Sequence, residues 1–390
     1  MKSNGTNHLK VAGLFAGIGG FELGFEQCGF RTDLLCEIEP AAQVVLRWHF
    51  PDVALEDDVR SIRGLPGLDI VAAGFPCQDL SQAGRTTGIE GRHSGVVSEL
   101  FRLLKDSDPR WLVIENVPFM LSLGRGKAMT YLTESLSDLG FRWAYRVVDA
   151  RSFGLPQRRQ RVILVASRTG DPRSVLLADD AAEPPAADPS MVACGFYWTE
   201  GTRGLGWAID AVPTLKGGSG VGIPSPPAIR MTDGSIVLPD IRDGERLQGF
   251  PPDWTAPAAE LGRDGARARW RLVGNALSVP VARWLGERLA SPGTYDGWDD
   301  GYLEAGERWP TAAWSNGRSI HRSRVSMWPV SGEPQPLESF LKYPTTPLSA
   351  AATDGFLRRA RASRLRFPEG LLEAMANHLQ LMRAGAPVHG

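Results

Sequence analysis

Cysteine and histidine are scarce in this sequence, which holds four cysteines and six histidines among 390 residues. The cysteines Cys28, Cys36, Cys77 and Cys194 show no CxxC or Cys/His spacing. That pattern gives no support for a zinc site, so we expect no metal. A reduced, cytoplasmic setting is the simplest expectation for so few thiols.

Long hydrophobic runs and a strong charge of one sign are also missing. No run of about eighteen apolar residues occurs, so we expect no transmembrane helix and no membrane partner. Residues 1–10 lack the apolar core of a signal peptide. The formal net charge is −1, which argues against a broadly basic nucleic-acid binder but leaves room for a local basic cleft.

The first 170 residues alternate between apolar, strand-like runs and helix-like segments. Strand-like runs occur at 9–15, 32–37, 70–73, 111–114 and 162–166. One helix should follow Gly20, and Pro40 should open another that runs to Phe50. This alternation predicts an α/β fold with a mostly parallel sheet that helices cover on both faces.

The composition changes along the rest of the chain. Pro, Gly, Ala and Asp dominate residues 169–239, which predicts a small, loop-rich module. We predict four segments: a sheet domain over 1–168, a small domain over 169–260, a helix returning to the first domain over 261–290, and a C-terminal extension over 291–390.

The C-terminal extension carries a group of arginines before a predicted helix at 370–384. They are Arg358, Arg359, Arg361, Arg364 and Arg366. Three interpretations stay open for them: contact with phosphate groups of a nucleic acid, contact with a partner, or an amphipathic helix docked on the first domain.

The segment from Gly74 to Gln82 places the Cys77 thiol on a proline-braced loop after the apolar run 69–73. A buried strand followed by a sharp turn can present a reactive side chain at the edge of an α/β sheet. Taken alone, Cys77 is more often a structural thiol, because free cysteine is among the most buried residue types. The polar, glycine-bearing residues 83–94 are typical of a mobile segment.

A glycine-rich loop at 17–20 lies between the first strand and the first helix. Such a loop lets the backbone approach a ligand closely. A dinucleotide-binding G-x-G-x-x-G pattern would need glycine where Glu22 stands, which disfavours NAD. Glu37 suits the hydroxyls of a ribose and Asp58 an adenine amino group, unless both are solvated loop acids.

Charged residues also lie where two later strands begin or end. Glu115 follows a buried-strand pattern, at an edge where α/β enzymes keep catalytic groups, although a loop or capping role is the alternative. Arg159 and Arg161 lead into an apolar run, and in a strand they would point to one face. Guanidinium groups beside apolar residues need phosphate or carboxylate partners, unless they form a solvated basic edge.

Together these segments closely resemble the DNA (cytosine-5)-methyltransferase family, over roughly residues 9–289. The matching blocks occur in the family's order: Phe15 to Gly20, Glu37, Asp58, Gly74 to Gln82, Glu115 to Val117, Gln157 to Arg161, Arg242 to Trp254 and Gly274 to Val281. The resemblance implies a Rossmann-like methyltransferase sheet with a smaller, loop-rich target-recognition domain. It also implies that the first domain binds S-adenosyl-L-methionine and releases S-adenosyl-L-homocysteine.

The resemblance assigns roles to four side chains. Cys77 would attack C6 of a flipped-out cytosine, so that C5 can accept a methyl group. Glu115 would contact N3 and the amino group of the base, Arg161 would lie near its O2, and Arg159 would help fix the catalytic loop.

Cofactor and DNA contacts also follow from the resemblance. The expected cofactor contacts are Phe15, Gly17, Ile18, Gly19, Gly20, Glu37, Ile38, Asp58, Val59, Pro76, Asn275 and Leu277. Ile38 departs from the family, in which many members have an aromatic residue at this position. The expected contacts with double-stranded DNA are Gln78, Ser81, Arg203, Thr214, Lys216 and Arg230. Trp198 and Trp207 should pack in the small domain's core rather than wedge into DNA.

The family context implies a restriction or phage-defence system as a further partner, or an enzyme that stands alone, and a monomer on DNA. Two other functions stay open. One is an RNA cytosine-5 methyltransferase on the same scaffold. The other is a non-catalytic DNA-binding regulator, against which the presence of Cys77, Glu115, Arg159 and Arg161 argues.

Overall fold

The computed structural model describes residues 8–76, 95–218 and 226–384. The chain forms two compact units. The first contains residues 1–152, 160–183 and 279–331, and the second contains residues 153–159, 184–278 and 332–390.

The strands of the described residues are, in chain order, β1 (Lys10–Leu14), β2 (Arg31–Cys36), β3 (Ala54–Glu56), β4 (Ile70–Ala73), β5 (Trp111–Asn116), β6 (Arg142–Asp149), β7 (Gln157–Arg158), β8 (Gln160–Ser167), β9 (Cys194–Phe196), β10 (Ala208–Ile209), β11 (Val212–Pro213), β12 (Ala228–Arg230), β13 (Ile236–Leu238), β14 (Gly301–Tyr302), β15 (Ala312–Ser315), β16 (Ile320–Arg322) and β17 (Thr346–Pro347). The α-helices are α1 (Gly20–Glu26), α2 (Pro40–His49), α3 (Val96–Lys105), α4 (Lys127–Asp138), α5 (Pro172–Leu176), α6 (Ile241–Arg246), α7 (Arg263–Asn275), α8 (Val279–Ala290), α9 (Leu337–Phe340), α10 (Ala350–Ala362) and α11 (Leu371–Ala384). Short 3-10 helices cover Pro118–Leu121, Ala150–Phe153 and Ala256–Leu261.

The first unit is built on a sheet with the strand order β14-β16-β15-β6-β8-β5-β4-β1-β2-β3 in the described residues. The strands β5, β4, β1, β2 and β3 are parallel neighbours. The strands β8, β6, β15, β16 and β14 extend this half with antiparallel pairings. The predicted Rossmann-like α/β sheet is confirmed, and the antiparallel extension is a feature that the sequence pattern did not reveal.

Local sequence explains the central elements of this sheet. The β4 residues Ile-Val-Ala-Ala are all buried, as expected for a strand that is covered on both faces. Pro40 stands at the start of α2, where its missing N–H costs nothing. Gly24 lets α1 pack closely on α8, since a Cβ atom there would lie 2.5 Å from the Cβ of Ala282.

Residues 291–331 belong to the first unit rather than to a separate extension. β15 pairs with β6 from Ala312 to Ser315. The Trp309 ring packs 6.1 Å from Trp143 and 6.0 Å from Tyr145, measured between ring centroids. The guanidinium of Arg146, which is fully buried, donates hydrogen bonds to the carbonyls of Asp179 and Ser326.

The second unit contains a sheet in the order β10-β9-β12-β13-β17 and the helices α10 and α11. Phe196, Phe356, Leu371 and Met375 are all fully buried in one apolar cluster. The predicted 291–390 extension is therefore divided between the two units, because its apolar residues complete both cores. Its Arg359 donates to the carbonyls of Trp198 and Glu200.

Two further expectations concern the second unit. Trp198 and Trp207 pack against the apolar cluster of that unit, as predicted. The predicted returning segment 261–290 is divided, with α7 in the second unit and α8 in the first. No helix in the described ranges is long and apolar enough to cross a lipid bilayer.

Candidate active site

The carboxyl ends of four parallel strands meet at one edge of the first unit's sheet. Leu14 at the end of β1 pairs with Cys36 on one side and with Ala73 on the other. Ala73 in turn pairs with Ile114 in β5. This register places the glycine loop, Glu37, the 74–76 turn and Glu115 along a single edge.

The glycine loop after β1 has an unusual backbone. Phe15, Gly17 and Gly19 all have positive φ, at 57°, 57° and 86°. A positive φ is uncommon for a bulky residue such as Phe15, and such strain is concentrated at functional sites. At Gly17 nothing lies within 4 Å of the position that a Cβ atom would occupy, whereas at Gly19 a Cβ atom would lie 2.6 Å from the Phe50 ring. The loop therefore leaves open space beside its own backbone.

The Glu37 carboxylate is held between two backbone N–H groups. Its Oε2 accepts from Gly17 N and its Oε1 from Glu39 N, each at 2.8 Å. Burial raises the pKa of Glu37, and the hydrogen bonds from Glu39 and Gly17 oppose that rise. The geometry fixes this carboxyl beside the loop, and each oxygen keeps a lone pair for a hydroxyl donor.

The other predicted cofactor contacts of the first unit vary in exposure. Ile38 is 66% exposed, although it is a large apolar residue, while Ile18 and Val59 are buried. The Asp58 carboxylate accepts from Arg60 N at 2.9 Å and from Arg60 Nη1 at 3.2 Å. Asp58 thus has a local hydrogen-bonding partner in Arg60.

Glu115 and Arg161 form an ion pair with 2.6 Å between Oε1 and Nε. Their side chains are 12% and 11% exposed. Burial lowers the pKa of Arg161, and the Glu115 charge opposes that effect. The anionic partner that the sequence requires for Arg161 is therefore Glu115.

The turn at 74–76 is tied to the end of β5. Asn116 Nδ2 donates to Phe75 O at 3.0 Å, and Asn116 Oδ1 accepts from Val117 N at 2.9 Å. The Phe75 ring also packs edge-on against Phe15, at 6.1 Å between centroids. Pro76 ends the described part of this turn, and the predicted site residues Cys77, Gln78 and Ser81 lie outside the described residues.

Sequence reasoning did not single out Asn116 as a site residue. The sequence did contain a signal, namely an amide directly after the carboxylate Glu115 near the end of a strand. Such an amide can join two neighbouring strand ends, because it has both a donor and an acceptor. A buried amide of this kind, 3% exposed, needs partners for both groups, and the structure provides them.

Arg159 lies in the second unit, in a setting different from the expected one. β8 begins at Gln160, so Arg159 precedes the strand and does not share a strand face with Arg161. Its buried guanidinium donates to the carbonyls of Leu215, Gly274 and Ala276, at 3.2, 3.2 and 2.5 Å.

Gln157 and Gln248 are further buried residues that the sequence reasoning missed. Gln157 Nε2 donates to Leu247 O and to Gln248 Oε1, and Gln157 Oε1 accepts from Leu215 N. Gln248 also accepts from Ser278 Oγ at 2.7 Å. These bonds organise the same backbone segments that Arg159 holds.

The remaining predicted contacts are also in the second unit. Lys216 forms an ion pair with Glu200, and Arg230 donates to the carbonyl of Pro189. Thr214 Oγ1 donates to Arg158 O at 2.7 Å. Arg203 and Asn275 are exposed, and Leu277 is buried. No group of three His, Cys, Asp or Glu side chains in the described ranges is arranged to hold a metal ion.

Comparisons with known proteins give consistent matches. The model of a family described as C-5 cytosine-specific DNA methylase matches residues 9–189. The chain is 51% identical over 379 residues to the Type II methyltransferase M2.BsuMI of Bacillus subtilis (strain 168), covering 94% of this chain and 97% of that protein. It is 29% identical over 315 residues to the Type II methyltransferase M.Bsp6I of Bacillus sp. (strain RFL6), covering 72% and 98%.

Among solved structures, the chain resembles the Dnmt2 methyltransferase of S. pombe with a TM-score of 0.53 and 17% identity. That match covers 73% of this chain and 99% of the other. At this level of identity the likeness supports the fold alone.

Proposed function

The chain belongs to the C-5 cytosine-specific DNA methylase family, and on that premise we propose that it methylates C5 of a flipped-out cytosine in a specific sequence of double-stranded DNA, with S-adenosyl-L-methionine as methyl donor. The observation that carries this proposal is the buried pair of Glu115 and Arg161, at the sheet edge that also holds the glycine loop. A carboxyl and a guanidinium side by side match the N3, amino and O2 groups of one pyrimidine edge.

The glycine-loop edge fits S-adenosyl-L-methionine. The open space beside Gly17 admits a ligand close to the backbone. Glu37 would accept from the ribose hydroxyls, and the exposed Ile38 would cover one face of the adenine. When bound, this donor supplies an electrophilic methyl group on a sulfonium. Phe15, Ile18, Gly19, Gly20, Asp58, Val59, Pro76, Asn275 and Leu277 complete the proposed contacts.

The proposed reaction begins at Cys77. Its thiolate attacks C6 of the cytosine, forming a C–S bond and moving the ring electrons towards N3 and C5. Glu115 delivers a proton to N3 and accepts a hydrogen bond from the amino group, while Arg161 donates near O2. These contacts offset the negative charge that the attack places in the ring. C5 would then take the methyl group from the sulfonium, whose carbon–sulfur bond to that methyl breaks to leave S-adenosyl-L-homocysteine. A base removes the C5 proton, and the C–S bond breaks to release Cys77.

The cytosine must leave the base stack before this attack, at a cost of a few kcal/mol. The buried Arg159 and Gln157 hold Leu215, which follows Thr214 in the element that we propose to support the flipped nucleotide. Gln78, Ser81, Arg203, Lys216 and Arg230 are the other proposed DNA contacts. Lys216 and Arg230 would have to exchange their internal partners for DNA.

The similarity to Type II methyltransferases supports a role in restriction-modification, with a cognate restriction or defence system as partner. A monomeric state on DNA, a cytoplasmic setting and the absence of a metal requirement stay predictions.

The test is methyl transfer from labelled S-adenosyl-L-methionine to DNA, followed by mapping of 5-methylcytosine, with Cys77→Ser as the inactive control. Trapping of Cys77 on a duplex that contains 5-fluorocytosine tests the nucleophile directly. Labelling of RNA without labelling of any DNA would overturn the DNA proposal in favour of an RNA methyltransferase. DNA binding without transfer to either substrate would favour a non-catalytic regulator.

A further inference from the structure

The segment after Glu115 carries an exposed aromatic ring and exposed cations at the active-site edge of the sheet. Phe119 is 61% exposed, and both Arg125 and Lys127 are exposed. Residues 116–133 contain no Asp or Glu. In the described part of the chain, neither Arg125 nor Lys127 has an ion-pair partner. This stretch is therefore locally basic in a protein whose net charge is close to zero.

A third exposed cation stands one residue before Trp309, whose side chain contacts this turn. Trp309 Nε1 donates to Gly126 O at 3.2 Å, and Arg308 directly precedes Trp309 in the chain. Arg308 is exposed and, within the described ranges, also lacks an ion-pair partner. We call Phe119, Arg125, Lys127 and Arg308 the edge patch.

Strand register places the edge patch on the same edge as Glu115. Asn116 pairs with Val162, and Val162 pairs with Val147. Val147 N donates to Thr311 O at 2.7 Å. Thr311 directly precedes β15 and follows Arg308 by three residues, so β15 begins at the edge that holds Glu115. The opposite end of β15, at Ser315, pairs with Trp143 at the other edge of the sheet.

The backbone at Arg125 adds an independent observation. Arg125 has φ of 61° and lies between Gly124 and Gly126, at 60° and 89°. Glycine would adopt this conformation without strain, so an arginine here is unfavourable for the backbone. Left-handed non-glycine residues cluster where a side chain serves binding or catalysis. The Trp309 contact helps to hold the turn in this conformation.

We propose that the edge patch is a second DNA-contacting surface, in which Arg125, Lys127 and Arg308 bind backbone phosphates and Phe119 makes an apolar contact with the DNA beside the flipped nucleotide. This inference rests on the proposed function, since the duplex that it holds is the methylation substrate. Phosphate contacts position a duplex without reading its sequence. The edge patch therefore would fix the DNA on the catalytic edge independently of the recognition domain.

The experiment measures binding of the full chain to an unmethylated, fluorescein-labelled duplex by anisotropy over a series of salt concentrations, with S-adenosyl-L-homocysteine present. Phosphate contacts are sequence-independent, so no recognition site is needed. The variants are Arg125→Gly, Lys127→Ala, Arg308→Ala and Phe119→Ala. The matched control is Arg318→Ala. Arg318 is also exposed and without an ion-pair partner among the described residues, but it lies in the β15–β16 turn at the opposite edge.

Each of the three charge variants should reduce the slope of log K against log salt by about 0.9 and weaken binding about fivefold or more near 0.1 M salt. Phe119→Ala should weaken binding with an unchanged slope, because no counterion is released at an apolar contact. Arg318→Ala should match wild type. Arg125→Gly should keep or raise thermal stability, since glycine accepts the left-handed backbone, and so loss of binding is separable from unfolding.

The proposal would be overturned if all three charge variants kept the wild-type salt slope. It would also be overturned if Arg318→Ala lost as much slope and DNA affinity as they do. Tighter binding to an RNA hairpin than to the duplex, with the same variants affected, would assign the edge patch to RNA instead and overturn the DNA proposal. Failure of wild type to bind any duplex would contradict the proposed function itself, whereas duplex binding that is insensitive to these variants would contradict only the edge patch.

Discussion

The Nε atom of Arg161 lies 2.6 Å from Oε1 of Glu115, and the two side chains are almost fully withdrawn from solvent. The carboxylate also faces Gly74, where an added Cβ atom would lie 3.5 Å from Oε2. Gly74 opens the turn that leads to Cys77. The absence of a side chain at Gly74 therefore leaves room beside the carboxyl group at the point where we propose that the base binds.

The first prediction concerns the stability of this pair. Glu115→Gln and Arg161→Met should each destabilise the protein by about 3 kcal/mol, because each leaves an uncompensated polar or charged partner in a buried site. The double variant should lose clearly less unfolding free energy than the sum of the two single-variant losses. Chemical denaturation of all four proteins in a double-mutant cycle measures the coupling, and additive losses would contradict a direct energetic link between the two groups.

The same variants make a prediction about activity. Glu115→Gln should lower kcat by about a hundredfold or more, because an amide cannot hold a proton for N3 of the base. Binding of S-adenosyl-L-methionine should change little, since Glu37 and the glycine loop are untouched. Single-turnover methyl transfer and cofactor titration separate the two effects, and parallel losses in both would point to general unfolding.

Asn116 provides a prediction about positioning. Asn116→Ala removes the donor to Phe75 O and the acceptor of Val117 N, and should cost about 1–3 kcal/mol of stability. Because Phe75 leads into the turn before Cys77, kcat should fall by a larger factor than the factor by which the KM for the cofactor rises. Asn116→Asp keeps the acceptor but loses the donor to Phe75, so it should resemble Asn116→Ala in kcat.

The sequence was a good guide to the parallel half of the sheet. β4 matches its predicted bounds, and α2 differs from its prediction by one residue. Both elements are set by local sequence. A fully apolar run needs burial on two faces, and a proline can start a helix but not continue it. The resemblance likewise depended on short segments at strand ends, and the register brings those segments to one edge.

Pairing over long sequence distances was not predictable in this way. The pairing of β15 with β6 joins residues more than 160 positions apart. Nothing in the Ala-Ala-Trp-Ser sequence of β15 indicates that it pairs with β6. The conformation of Arg125 was equally hidden, because the turn that holds it contacts Trp309, more than 180 positions further along the chain. Arg159 was misplaced because β8 begins at the next residue, Gln160, so that Arg159 lies just outside the strand.

The cofactor site gives a prediction with a matched control. Glu37→Gln should raise the KM for S-adenosyl-L-methionine about tenfold or more, because an amide can replace only one of the two oxygens that accept from Gly17 and Glu39. Asp57→Asn removes an exposed carboxylate between β3 and Asp58, and it should leave that KM unchanged. An equal rise of this KM in both variants would indicate that removing any nearby negative charge weakens cofactor binding, rather than the loss of a specific contact.

The C-terminal helix α11 gives a prediction about packing. Leu371 is fully buried in the second unit's apolar cluster, whereas Leu381 on the same helix is 48% exposed. Leu371→Ala should destabilise that unit by about 2–5 kcal/mol, while Leu381→Ala should stay within about 0.5 kcal/mol of wild type. Thermal unfolding of both variants tests whether residues 332–384 are part of this core or a removable extension.

The last prediction concerns pH and the buried Glu22 of α1. Burial raises the pKa of Glu22 from 4.5 to about 8, an effect that the backbone N–H of Glu22 opposes and the charges of Glu26 and Glu37 reinforce. The folded state therefore binds a proton that the unfolded state has released between these two pH values. The stabilising contribution of the neutral acid is complete below pH 4.5 and is lost as the pH rises to about 8.

Glu22→Gln places a neutral amide where the neutral acid stands, so it should remove that loss. Relative to wild type, the variant should gain stability steadily between pH 5 and pH 8, by up to a few kcal/mol. The carboxyl packs so tightly on Gly13 that a Cβ atom there would lie 1.8 Å from Oε1, so Gly13→Ala should destabilise the protein at every pH. Denaturant unfolding of the three proteins at several pH values measures both effects, and parallel pH profiles for wild type and Glu22→Gln would show that Glu22 is ionised when folded.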